Sequence, residues 1–295
     1  GRTFGSNPDI RSSSVIPACR PALFALLFAT ALSGQGTARD TVPKAVEKAP
    51  ISDNSFLIEE AYNQEKGVVQ HISGFIRSGD SNGWAYALTQ EWPLGGRRHQ
   101  LSYVIPVSRQ GDPASTGLGD VMVNYRLQAL FDEERGIAVA PRISWSFPTG
   151  DDTRGRGLGG GGLQVNLPIS KTLGRSFVSH TNLGATTFAR APGAGDASTS
   201  QHNVFAGQSF IWLARSRFNV MLETVWTRTT TDSDAGSSVS EAAFIIPGIR
   251  WGHDFRNGLQ IVPGIGVPIG IGGSNGSRQV FLYLSFEHPF AATGN

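Results

Sequence analysis

The sequence predicts an all-β protein: an antiparallel transmembrane β-barrel of about 12 strands, preceded by a cleaved N-terminal signal peptide. Three observations carry that prediction. From Val68 to Phe290 the chain runs in period-two segments, the spacing that sends successive side chains to opposite faces of a strand. The connections alternate strictly between short and long, as expected of a chain that crosses a membrane back and forth between tight periplasmic turns and longer outer loops. The composition, with 37 Gly, 9% aromatic and only 16% charged residues, does not suit an ordinary soluble α/β enzyme.

At the N-terminus, Arg11 and Arg20 precede an apolar run, Ala22–Leu32, and Gly36-Thr37-Ala38 supplies a small-x-small cleavage pattern. A run of that length with those flanks reads as a secretory signal and is too short for a membrane helix. The signal and upstream residues thus take 1–38, a periplasmic N-terminal segment 39–67, the barrel 68–290 and a tail 291–295. The long stretch before the apolar run, opening on Gly1, points to a start other than the natural one. Removing 1–38 leaves 22 basic and 22 acidic residues, so net charge gives no argument for a nucleic-acid partner. The single cysteine, Cys19, lies before the apolar run, where it can be neither a lipid anchor nor a thiol of the exported chain. Arg outnumbers Lys 21 to 4, and Lys44, Lys48 and Lys66 all precede the first strand. A soluble β protein spreads Lys over its polar faces and edges instead.

Within the barrel, Val121, Val123, Tyr125, Leu127 and Ala129 make one apolar face, against Asp120, Met122, Asn124, Arg126 and Gln128. Ile137, Val139, Ile143, Trp145 and Phe147 repeat the scheme, as do Leu163, Val165, Leu167 and Ile169, then Phe218, Val220, Leu222 and Trp226. Leu259, Ile261, Ile265, Val267, Ile269 and Ile271 oppose a row of Gly and Gln. The Gln201–Leu213 segment departs from the pattern: Phe210 and Trp212 fall on the opposite parity from Ile211 and Leu213, which suggests a bulge. Trp84, Trp92, Trp145, Trp226 and Trp251 are expected near strand ends, at headgroup level. A periplasmic N-terminus and a last strand that runs down to the periplasm demand an even strand count. Twelve strands satisfy it, which leaves the apolar stretch Ser55–Tyr62 outside the wall, beneath the barrel or inside it.

Asn54 through Asn63 (Asn-Ser-Phe-Leu-Ile-Glu-Glu-Ala-Tyr-Asn), Gly117-Leu118-Gly119-Asp120 opening a strand and Phe147-Pro148-Thr149-Gly150-Asp151 closing one resemble the outer-membrane transporter family named for the meta-cleavage pathway of phenol degradation. The resemblance implies a barrel in the outer membrane of a Gram-negative type cell, linked to uptake of small, apolar or aromatic solutes. It supplies no catalytic residues. Such a barrel would have outer-membrane lipid, a small-molecule solute and the barrel assembly machinery as partners. The alternating, aromatic-ended stretch from Val280 to Phe290 is the feature that the machinery would read.

The candidate site is a set of inward charges, Arg126, Arg142, Glu223 and Arg250, on the polar parity of four strands. They would either select permeants as a ring of charge or fill a narrow lumen as a structural ladder. No cofactor or metal is expected. Gly157-x-Gly159-x-x-Gly162 stands between a polar loop and a strand, the wrong context for a dinucleotide fingerprint. The six histidines are scattered, and Asp151, Asp152, Asp232 and Asp234 read as solvated loop carboxylates. A hydrolase reading finds only Ser179 and His180, adjacent and hence on opposite faces. The expected function is a channel or transporter for small solutes. The alternatives are a structural or surface-interaction barrel with a plugged lumen and an outer-membrane lipid-modifying enzyme.

Overall fold

The computed structural model describes residues 55–79, 82–110, 113–192, 198–233, 236–255 and 259–289. The expected signal peptide, Phe290 and the tail 291–295 fall outside them. Twelve staves form one closed antiparallel sheet. They are β1 (Val68–Ser78), β2 (Trp84–Pro93), β3 (His99–Gln110), an interrupted β4 (Ser115–Leu118, Val121–Leu127, Leu130–Asp132) and β5 (Ile137–Val139, Arg142–Phe147). There follow β6 (Gly162–Leu173), β7 (Phe177–Pro192), β8 (Ser198–Arg215) and β9 (Phe218–Ser233). The circuit ends with β10 (Gly236–Trp251, extended by His253–Asp254), β11 (Gln260–Gly266, Ile269–Ile271) and β12 (Gln279–Pro289). First and last staves pair from Val68↔Pro289 to Ser78↔Gln279, so no sheet edge is left for hydrocarbon to strand.

The second break in β4 and the break in β5 have a local cause, because Pro141 and Pro168 cannot donate to the ladder. Their carbonyls still accept, from Leu127 N at 3.0 Å and Ala140 N at 3.1 Å respectively. The tight turns gather at the end where β1 starts and β12 finishes, helped by Gly174 at φ 67°, a value that only glycine adopts without cost.

Parity is as the sequence requires. Val165, Leu183, Leu222 and Leu282 are exposed on the outer wall, while Asn124, Arg126, Gln164, Asn166 and Glu223 are buried on the inner one. An apolar belt outside and polar groups inside are the arrangement of an outer-membrane barrel, which reverses that of a soluble β protein. Trp145, Trp226 and Trp251 all face outward. Trp226, however, sits mid-way along the 16-residue β9, a strand longer than the ~9–11 residues that cross a bilayer. The expected bulge in Gln201–Leu213 is displaced. Pairing with β9 is continuous from Ser200 to Trp212 and shifts only between Trp212 and Arg215. Ile211 breaks the polar parity because it points into an apolar core inside the lumen.

That core draws on the stretch that the sequence leaves outside the wall, beneath the barrel or inside it. The Ser55–Tyr62 stretch is not a stave, and the described part of the N-terminal segment does not lie in the periplasm. It runs through the lumen, with Ser55, Phe56, Leu57, Ile58, Glu59, Glu60, Ala61, Asn63 and Gln64 all buried.

Candidate functional site in the barrel lumen

An extended segment with no sheet partner must satisfy its backbone some other way. Here the inner wall supplies side chains, one stave after another. The Glu223 carboxylate of β9 accepts from Phe56 N and, at 2.9 Å, from Leu57 N. Asn182 of β7 accepts from Glu59 N at 2.8 Å and donates to Glu59 O at 2.6 Å. Ser170 of β6 accepts from Ala61 N at 2.7 Å, Gln128 from Asn63 N at 2.9 Å and Gln100 of β3 from Gln64 N at 2.7 Å. These side chains stand in for the neighbouring strand that the segment lacks.

The guanidinium of Arg126 takes the other backbone edge. It donates to Tyr62 O at 2.6 Å, to Glu60 O at 3.4 Å and, through Nε, to Asn63 Oδ1 at 2.8 Å. Arg142 is fixed to the wall by Asn124 and Ser144, each at 2.8 Å, and by Gln164 at 2.6 Å. Its Nε lies 2.8 Å from Glu59 Oε1, an ion pair whose alignment falls short of a hydrogen bond. Glu91 stands 3.9 Å from Arg126. Burial pushes the carboxyl of Glu59, which lies in the inserted segment and outside the staves, up to about 7 against the pull of Arg142 and Arg126.

On the opposite wall apolar contacts join those of Glu223. The Phe56 ring packs 5.6 Å from Phe281 and 6.2 Å from Tyr283, centroid to centroid. A Cβ added to Gly248, Gly264 or Gly266 would come within 3.0 Å of that ring, and one on Gly207 equally close to Ile58. The inward glycines of β8, β10 and β11 therefore form a socket for Phe56 and Ile58. Met221, Val225, Phe244, Ile246 and Val262 close around it.

Of the four charges singled out from sequence, Arg126, Arg142 and Glu223 grip the inserted segment and do not ring an open pore. Arg250 is also inward and fully buried, in register with Asn219, but its guanidinium makes no hydrogen bond among the described residues. Sequence parity found the inward residues and missed their partner. The available signal was the apolar Phe56-Leu57-Ile58 run paired with a glycine-rich inward face on β11.

At the other end, the Thr149–Leu158 loop covers the lumen. Asp120 accepts from Gly150 N at 2.9 Å and Leu158 N at 3.0 Å, and Thr149 Oγ1 donates to Gly119 O at 2.8 Å. Arg156 bonds Asp151 at 3.0 Å and the Ser115 hydroxyl, while the Thr153 hydroxyl, helped by Arg154 and Arg156, holds the Asp151 carboxyl below its usual range. The Gly-Leu-Gly-Asp and Phe-Pro-Thr-Gly-Asp stretches are thus two halves of one latch. Gly157 belongs to it, since a Cβ there would strike Asp120. Against Gly155, Arg156, Gly157 and Leu158 of this loop lies a cavity of about 110 Å³, with Met122, Phe188 and Phe205 in its apolar lining and Gln164, Gln201 and Asn203 among its polar groups.

His180 is fully buried and 2.7 Å from Ser170 Oγ, the hydroxyl that accepts from Ala61 N. Ser179 instead accepts from Gln208 at 2.6 Å. Among the described residues no cluster of three or more His, Cys, Asp or Glu could hold a metal.

A family model described as "Putative MetA-pathway of phenol degradation" matches residues 59–286. An outer membrane channel from Pseudomonas putida F1 superposes with a TM-score of 0.60 at 13% identity, over 84% of this chain and 99% of that one. The NanC porin aligns at a TM-score of 0.47 and 10% identity, over 76% of this chain and all (100%) of that one. No curated protein matches the sequence. At such identities the first likeness is one of fold.

Proposed function

The chain belongs to the MetA-pathway phenol-degradation family, and from that premise and the lumen geometry we propose that it is an outer-membrane channel for small, largely apolar or aromatic solutes. The observation that carries the proposal is the cavity against the latched outer loop, inside the wall that also holds the inserted segment. Such a mostly apolar chamber with a few amide groups suits a small molecule carrying one polar group. An engineered apolar cavity of ~150 Å³ holds benzene, so a chamber of this size accepts about one aromatic ring. The solute would enter from the outer face, rest on Met122, Phe188 and Phe205, and pass when residues 55–64 shift.

The segment is held by hydrogen bonds and ion pairs that water can replace, which makes it a gate and not a permanent part of the wall. The role assigned to Arg126, Arg142 and Glu223 is accordingly to hold the gate, with selection of permeants secondary. The proposal involves no catalysis. Ser179 and His180 are engaged with different partners, and the Ser170–His180 pair is spent on the segment's backbone. Assembly would rely on the barrel assembly machinery reading β12, whose Val280, Leu282 and Leu284 face outward.

The plugged structural barrel is favoured by the same inserted segment. Planar-bilayer conductance of the intact chain, compared with a variant lacking residues 55–64, separates the two. A channel gives small conductance that rises several-fold on deletion and falls when a single-ring aromatic is added. A conductance that stays near zero in both proteins rejects the channel.

A further inference from the structure

The seam that closes the barrel carries a histidine pair that the lumen does not use. His71 of β1 and His288 of β12 both face outward near the end where β12 finishes, and each is half-buried. They are diagonal neighbours: His71 pairs with Phe286, and Val69 with His288. Their Nε2 atoms are 3.2 Å apart, their ring planes lie 17° apart, and His71 also stacks on Phe286 at 4.6 Å.

The tautomer of His288 follows from its other nitrogen. Nδ1 lies 3.1 Å from the Pro289 carbonyl oxygen. A carbonyl only accepts, so the proton sits on Nδ1 and the lone pair on Nε2 faces His71. This is how a metal-bound imidazole is usually prepared, with its second ring N–H given to a backbone carbonyl. Two nitrogens bound to one tetrahedral ion at ~2.0–2.1 Å stand about 3.3 Å apart, close to the separation seen here.

We propose that His71 and His288 form a two-imidazole site for a divalent transition metal of the zinc, nickel or copper class, which staples the first strand to the last. Imidazole nitrogens suit these ions, whereas calcium and magnesium require oxygen ligands. Both Nε2 lone pairs converge on the ion, so His71 carries its proton on Nδ1 and each ring turns by about 35° from its present end-on approach to meet tetrahedral geometry. Water or a lipid phosphate completes the coordination at the half-exposed rim. The two histidines are 217 positions apart, so the staple closes nearly the whole barrel as one loop, the kind of cross-link that most restricts the opened chain.

The test uses the full chain without an affinity tag, folded in detergent, with zinc chloride, magnesium chloride or a chelator. Zinc at about nine times its dissociation constant should slow unfolding by roughly tenfold if the seam opens before the transition state, and magnesium should have no effect. His71→Gln and His288→Gln should each abolish the zinc-dependent part and match the parent protein in chelator. His202→Gln, which alters a histidine 4.0 Å from Asp232, should retain the zinc effect. Equal slowing in the double His71→Gln/His288→Gln variant overturns the site. Should those variants not fold, copper bound to the parent chain must show hyperfine splitting from two nitrogens, and its absence equally overturns the proposal.

Discussion

The two sides of the lumen hold the same ten-residue segment by different physics. On the β3 to β7 side, Glu59 to Gln64 is held by directed polar contacts, among them the Arg126 bonds to Tyr62 O and Asn63 and the Arg142–Glu59 ion pair. On the β8 to β12 side, Phe56 and Ile58 sit in a socket of glycines and apolar side chains, and Glu223 alone supplies a charge, to the N–H groups of Phe56 and Leu57. The socket depends on shape and is indifferent to charge and salt. The polar side depends on complete pairing, since one lost partner leaves a buried charge or N–H exposed to a low dielectric. A gate built this way pivots about its apolar end and releases from its polar end.

Arg126→Ala should have the largest effect, because it strips two carbonyls and Asn63 of their donor and leaves Glu91 without its counter-charge. Removing one partner of a buried pair costs about 3–5 kcal/mol, read as unfolding free energy in detergent, and conductance should rise several-fold. Next comes Phe56→Ala, expected to cost about 3 kcal/mol for the ring and its socket. If Phe56→Ala opened the pore more than Arg126→Ala does, the assignment of pivot and release would have to be exchanged.

Ser170→Ala is smaller. It leaves Ala61 N without its acceptor, worth about 1–2 kcal/mol for a buried donor, and a normal conductance in that variant would show that the polar contacts act one at a time. The pH dependence is the mildest effect. With its pKa raised from 4.5 to about 7 in place, Glu59 takes up a proton more readily in the inserted state than in the released one. Insertion is thus favoured as pH falls from about 7 towards 4.5, with no further gain from this group below that window. Glu59→Gln should flatten the pH response of the conductance, and a response of unchanged steepness would assign it to another group.

Much of the fold was legible in the sequence because strand periodicity is local. The parity of Val123 against Asn124 follows from four or five neighbouring residues, and the alternation of turn lengths follows from the strand count. The same logic placed Arg126, Arg142, Glu223 and Arg250 on the inner face. It failed at Ile211, where an inward residue answers to something other than water.

What the sequence by itself determined is therefore the wall: its strand number, its closure and which side chains meet lipid. What only the tertiary structure decided is what fills the wall. Phe56 meets Gly248, Asn63 meets Arg126, and Asp120 receives the Thr149–Leu158 loop, all through contacts between residues far apart in the chain. No periodicity encodes such pairings. Whether an apolar stretch such as Ser55–Gln64 joins the sheet or threads the lumen depends on whether wall side chains or a neighbouring backbone satisfy its N–H groups.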